Sequence, residues 1–200
     1  MGLSLRPEVS LATCLGAVDR LIDLGRLGER YFVNVAGFGF DAAVAKEVME
    51  RTGGRVGGTL PYLAATLRLL RRYRTSEIKI TADGEIFTVP CLFGAIGNAT
   101  TYGGGMRVCP LARPDDGILD LCLAGDLTLS QTLINLVRVF RGTHLGRRNI
   151  GYYRAKCLKV EGDPSILVHA DGQLIGRLPL EARIVPRAMR LLTPPSASRD

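Results

Sequence analysis

Apolar residues along this chain recur in two rhythms, one close to every second position and one close to every third or fourth. Continuous or alternating apolar runs predict strands at about 18–24 and 30–37, the second reading Tyr31-Phe-Val-Asn-Val-Ala36. Helical spacing takes over from Asp41 to about Arg51, where the glycine-rich loop Gly53–Gly58 ends it. Thr59 is placed to cap a second helix to about Tyr73, with Leu60, Leu63, Leu67 and Leu70 on one stripe. Glu77–Ala82 and Glu85–Ala95 return to strand around Asp83-Gly84, a strong two-residue hairpin signal. Leu119–Ala124 is a further strand. Thr128 with Gln131 fits a capping box for a third helix carrying Leu129, Leu133, Leu136, Val137 and Phe140. The remainder reads as strands at about 152–161, 166–171, 174–178, 180–185 and 188–193, with turns at Asp163-Pro164 and Asp171-Gly172.

Many short strands, few helices and hairpin turns predict an α+β fold, an antiparallel β-sandwich decorated by two or three helices. The domain is expected over 17–193, after a linker at 1–16 and before a frayed tail at 194–200. Hydrophobic residues make up 46% of the chain and charged residues 22%, which suits one sizeable core and not a disordered segment. No apolar run approaches the roughly 18–20 residues of a membrane span. Arg6, Pro7 and Glu8 interrupt any signal-peptide pattern, so a cytoplasmic protein is expected.

Five cysteines (Cys14, Cys91, Cys109, Cys122 and Cys157) contain no CxxC and are expected as buried free thiols. The net charge of +7 favours acidic partners. Two arginine groups stand out, Arg68, Arg71, Arg72 and Arg74, and Arg138, Arg141, Arg147 and Arg148. Both follow helix ends, where cations offset the macrodipole, and both could equally meet an anionic lipid surface. Stacking aromatics are not interleaved with them, so nucleic acid is not expected.

The candidate chemistry concentrates in residues 97–120, GNATTYGGGMRVCPLARPDDGILD. Gly103, Gly104 and Gly105 suit a sharp bend or a close approach to a ligand. Asp115 and Asp116 stand beside a tight turn where oxygens can converge on a hard cation. A long surface loop accounts for the same residues, and both readings stay open. Gly37-Phe-Gly39-Phe-Asp-Ala42 has the G-x-G-x-x-A spacing of a dinucleotide site. No acidic residue follows between Glu50 and Glu77, so a tight strand-to-helix turn is the better reading. There is no P-loop.

Taken in order, these motifs resemble the C-terminal domain of the soluble diacylglycerol-kinase-like lipid kinases, the bacterial group related to sphingosine and ceramide kinases. The resemblance runs through Ile22-Asp-Leu-Gly25, Tyr31–Asp41, Gly97-Asn98 and Tyr102-Gly-Gly-Gly-Met-Arg107. It continues through Pro110–Gly117, Leu119-Asp120, Arg141-Gly-Thr-His144, Asp171-Gly172 and Pro179. It implies a β-sandwich domain that works with a separate nucleotide-binding domain. The family's Gly-Gly-Asp-Gly-Thr nucleotide motif does not occur here. ATP is therefore expected to act only through an N-terminal domain that this chain lacks.

The resemblance also implies roles. Gly103, Gly104 and Gly105 would line the substrate cleft. Mg²⁺ would be held by Asp116 and the carbonyls of Arg113 and Ile118, with a metal-free acidic turn as the alternative. The general base would stand at position 173, where the family's Asp-Gly-Glu becomes Asp171-Gly172-Gln173. An amide cannot take up the hydroxyl proton. His169 or Asp171 is then a candidate substitute base, while His144 reads as a structural hydrogen bonder. The implied reaction moves the ATP γ-phosphate to the hydroxyl of a diacylglycerol-type lipid, with transient contact to an anionic membrane and a homodimer left open. The chain alone is expected to be inactive. The alternative is a non-catalytic lipid-binding or interaction module derived from a kinase. A sugar or nucleotide kinase of the related NAD-kinase superfamily is a third reading, disfavoured by the pattern around Asp115-Asp116-Gly117.

Overall fold

The computed structural model describes residues 18–52, 59–70 and 72–193. These form twelve strands: β1 (Val18–Leu27), β2 (Arg30–Phe32), β3 (Val35–Gly39), β4 (Ser76–Ala82), β5 (Glu85–Cys91), β6 (Phe93–Gly97), β7 (Leu119–Ala124), β8 (Ile150–Ala155), β9 (Cys157–Glu161), β10 (Leu167–Ala170), β11 (Gln173–Arg177) and β12 (Leu180–Thr193). Three helices accompany them: α1 (Phe40–Thr52), α2 (Thr59–Leu70) and α3 (Leu129–Arg141). The expectations for 1–16, the Gly53–Gly58 loop and the tail lie outside the described residues.

The strands make two six-stranded antiparallel sheets, ordered β2-β1-β12-β9-β4-β5 and β11-β10-β3-β6-β7-β8. Three runs that read as single strands are each cut and shared between the sheets. The 30–37 run breaks into β2 and β3, the 85–95 run into β5 and β6, and the 152–161 run into β8 and β9. Apolar continuity persists through such a corner, so periodicity alone cannot locate it. At Leu92 the carbonyl accepts Phe40 N–H at 3.0 Å and the amide donates to Ala124 O at 2.7 Å, which fixes one corner.

The reverse occurs at the C-terminus, where the strands expected at 180–185 and 188–193 are one, β12. Its pairing with β1 slips between Ile22↔Met189 and Leu24↔Val185, leaving a bulge. Arg187 there has φ +52 and donates its N–H to Asp23 Oδ1 at 2.7 Å. A buried carboxylate on the partner strand thus pins a conformation that would be unfavourable alone.

The main core lies between the sheets and includes Phe32, Phe38, Ile80, Ile96, Leu121 and Leu158. Each such side chain contributes about 1.5–3 kcal/mol by leaving water. The second sheet is covered on its other face as well. Val35, Ala95, Val108, Cys122 and Val139 form a cluster beneath α3, and Phe40, Val44, Val48, Ala65 and Leu92 pack with α1 and α2. This double cover explains why β3 and β7 are buried at every position and read as unbroken apolar runs.

α3 begins as expected. Gln131 N–H donates to Thr128 Oγ1 at 3.3 Å while Thr128 N–H donates to Gln131 Oε1 at 2.9 Å. Left-handed Gly142 closes it.

Candidate functional site

The turn from β3 into α1 places the central acidic group. Gly39 has φ +86, and a Cβ there would lie 2.8 Å from Leu92 O, so only glycine fits. The turn sets Asp41 in the first turn of α1, facing β10. Asp41 Oδ2 lies 2.7 Å from His169 Nε2. Gly37 leaves room for that contact, because a Cβ there would stand 2.3 Å from the same nitrogen. The reading of this glycine motif as a strand-to-helix turn holds, and its first glycine also clears space for the Asp41–His169 pair.

Tyr102 completes the cluster. Its hydroxyl donates to Asp41 Oδ2 at 2.5 Å, and its ring stacks on His169 with centroids 5.8 Å apart. Tyr102 and Met106 exchange backbone bonds of 3.1 and 3.0 Å around Gly103, Gly104 and Gly105, all at positive φ. The glycine triplet is therefore the turn of a miniature hairpin that presents Tyr102 over Asp41.

Beside this cluster opens a cavity of about 340 Å³, within the size range of small-molecule sites. Its wall is largely apolar: Phe40, Val44, Leu70, Phe93, Met106, Leu133, Leu136, Val139 and Phe140. Asp41 is the acidic group on that wall, joined by Tyr102, Asn135 and His144. Gly103 and Gly104 line it and Gly105 does not. His144 is buried, with Nε2 3.1 Å from Val108 O and 3.6 Å from Cys122 Sγ. Burial pushes its pKa below the usual histidine value, which keeps the ring neutral at neutral pH. Burial also pushes the Cys91 and Cys122 thiols up to about 12. The free thiols Cys91, Cys109 and Cys122 are buried packing groups, and Cys157 is half-buried.

The acidic loop leads into the start of β7, whereas the cavity is lined by Ala124 at that strand's end. Its frame is Asp23, buried in β1, whose Oδ2 accepts Gly117 N–H at 2.7 Å and whose own N–H donates to Pro114 O at 2.7 Å. Asn98, fully buried, donates to the carbonyls of Asp23 and Val33 at 2.8 and 2.9 Å. Asp115 pairs with Arg20 at 2.5 Å, while Asp116 accepts Ile118 N–H at 3.2 Å and pairs with Arg154.

A family model described as the YegS C-terminal NAD kinase beta sandwich-like domain matches residues 34–193. The chain belongs to the diacylglycerol-kinase-like lipid kinases, as their C-terminal domain. It is 34% identical over 194 residues to a diacylglycerol kinase of Mycobacterium tuberculosis, covering 94% of this chain and 62% of the relative. A Bacillus subtilis diacylglycerol kinase is 26% identical, with 91% of this chain and 60% of that protein covered. The chain thus spans about three fifths of the length of these relatives. The fold matches a crystal structure of a Bacillus anthracis diacylglycerol kinase with TM-score 0.61 at 17% identity, over 94% of this chain and 58% of that one. A second Bacillus anthracis structure reaches 0.72 at 19% identity, over 98% and 64%.

The roles implied for this lipid-kinase domain fall in separate places. Gln173 is exposed on β11, one strand beyond His169. Asp171 is turned back into the protein, where its carboxylate accepts the N–H groups of Val33, Asn34 and Val35 at 2.7, 2.9 and 3.0 Å. It braces the β2–β3 corner with two of these bonds on Oδ1 and one on Oδ2. Arg113, Asp116 and Ile118 share the acidic loop, but no group of three His, Cys, Asp or Glu converges among the described residues. Asp116 accepts the Ile118 amide on Oδ1 and pairs with the Arg154 guanidinium through Oδ2. Sequence reasoning passed over Asp41 and Tyr102. The signal available for Asp41 was an acidic residue in the first helical turn directly after Gly-x-Gly.

Proposed function

We propose that this domain holds the lipid substrate of a diacylglycerol-type kinase, with an acyl chain in the apolar cavity and the acceptor hydroxyl at Asp41. The observation that carries the reading is one acidic group, buttressed by Tyr102 and the buried His169, set in the wall of a largely apolar cavity. Tyr102 and His169 both meet Asp41 at Oδ2, and a carboxylate has acceptor capacity beyond two such bonds for a substrate hydroxyl. A nucleotide-binding domain would supply ATP with its Mg²⁺. This chain would contribute binding, exclusion of water and orientation, which carry much of phosphoryl-transfer catalysis.

An anionic bilayer is the surface from which the lipid would enter. α3, one wall of the cavity, exposes Ile134, Val137 and Phe140. Arg141, Arg147 and Arg148 are exposed at and beyond its C-terminal end, a combination suited to a shallow interfacial contact. Among the described residues no helix is long and apolar enough to cross a membrane.

Binding of a fluorescent diacylglycerol to the full chain tests the reading. Leu136→Trp should fill the cavity and weaken binding at least about tenfold, and Asp41→Ala should weaken it by a similar factor, since a buried hydroxyl would lose its acceptor. Unchanged affinity in the folded Leu136→Trp variant would remove the cavity from the account. A second reading, a binding module without catalysis, is favoured by Gln173, whose amide cannot take the hydroxyl proton. Joining the chain to a competent ATP domain separates the two: lipid binding with no phosphorylation supports the module.

A further inference from the structure

We propose that Arg154 does the work of a bound cation in the 113–118 loop, so that the loop closes and keeps its shape without a divalent ion. Arg154 lies on β8 directly opposite Asp120 on β7. Its Nε stands 3.3 Å from Asp120 Oδ1, and its Nη2 meets Asp116 Oδ2. Asp120 is completely buried, so its carboxylate needs a charge partner from within the protein. A planar guanidinium can reach two carboxylates in different directions at once, which a point-charge ammonium does less well. One side chain thereby ties a buried strand position to the tip of the loop.

Two further observations agree. The loop is framed by Asp23, which accepts the Gly117 N–H and donates to Pro114 O, both at 2.7 Å. The neighbouring carboxylates are also met by arginines: Asp115 pairs with Arg20 and Arg113, and Asp116 and Asp120 share Arg154. A hard divalent ion at Asp116 would need several oxygen ligands and would lie against a guanidinium of like charge. The consequence is that divalent-ion dependence of any reaction using this chain attaches to the nucleotide and not to this loop.

Thermal unfolding of the full chain in excess EDTA, MgCl₂ or CaCl₂ tests this. The unchanged protein should melt at the same temperature, within about 1 °C, in all three. Arg154→Met keeps the apolar stem and removes the charge. It should lower the melting temperature by several degrees in EDTA and regain part of that in Mg²⁺ or Ca²⁺, as the freed carboxylates accept an ion. Asp116→Asn added to Arg154→Met should abolish the regain. If Arg154→Met does not fold, Arg154→Lys replaces it. A lysine should keep the charge but engage the two carboxylates less well, giving a smaller loss and no response to divalent ions. A Mg²⁺-induced stabilisation of the unchanged protein that disappears in Asp116→Asn would overturn the proposal. So would a loss in Arg154→Met that no divalent ion repairs, since the contact would then be an ordinary ion pair. These readouts involve no lipid, so their outcome is independent of the cavity assignment.

Discussion

The hairpins Asp83-Gly84 and Asp171-Gly172 share one design and stand in different surroundings. Both place aspartate at φ +46 followed by glycine at positive φ, +98 in the first and +83 in the second. Both aspartates then reach away from their own turn. Asp83 accepts the N–H groups of Lys156 and Cys157, between β8 and β9, and Asp171 accepts those of Val33, Asn34 and Val35, between β2 and β3. Each therefore caps a corner where the chain leaves one sheet for the other, supplying acceptors to amides that no strand partner satisfies. The third residue separates them. Glu85 is exposed on edge strand β5, whereas Gln173 begins β11, which packs against α1 beside the Asp41 cluster. Asp-Gly-Glu therefore occurs in the hairpin remote from the cavity, and Asp-Gly-Gln in the one beside it. A tripeptide specifies a turn and a brace; its position in the sheet decides whether the third side chain has anything to act on.

The largest expected effect breaks the braces. Asp171→Ala should cost about 3 kcal/mol, because it strands three amides, one of them on fully buried Val35. Asp83→Ala, at a more exposed corner, should cost about half as much. In a domain of this size that corresponds to melting-temperature losses of roughly 6–12 °C and 3–6 °C. Losses below about 0.5 kcal/mol in both would show that the turns hold their corners without these carboxylates.

The next prediction sharpens the difference in the third residue. In an enzyme completed with an ATP-binding domain, Gln173→Glu should raise kcat about tenfold, by supplying a carboxylate able to accept the hydroxyl proton. Glu85→Gln in the same enzyme should leave kcat unchanged. Equal rates for glutamine and glutamate at 173, at saturating lipid, would place the proton acceptor elsewhere, with His169 and Asp41 the groups to test next.

The smallest effect concerns pH. Burial holds the His144 pKa below its usual value of 6.5, so the folded state prefers the neutral ring. The unfolded chain binds the proton more readily, so stability is full above about pH 6.5 and falls as the pH drops toward the folded-state pKa. Melting curves at pH 7.5 and 5.5 should differ by a few degrees, and His144→Gln should reduce the difference. The same slope in His144→Gln would assign the acid sensitivity to other groups.

What was legible before the structure is what neighbours in sequence decide together. Thr128 and Gln131 cap each other across three residues, Asp-Gly turns need only their own torsions, and Leu119–Ala124 has a strand's composition. The Asp41–His169 contact spans 128 residues and the Asp116–Arg154 contact 38, and no local rule brings either pair together. The cut strands at Asn34, Leu92 and Lys156 were hidden because apolar character runs straight through them.

The sequence by itself determined the α+β class, the hairpins, the helix starts and the family, since capping, turn torsions and apolar spacing act over a few residues and the ordered motifs are specific. Only the tertiary structure decided that Asp171 is a brace, that Asp41 stands in the wall of an apolar cavity and that a guanidinium lies on Asp116. Those outcomes depend on which strands become neighbours. Such neighbours are chosen by burying two faces of a sheet at once, a global requirement that no short segment carries.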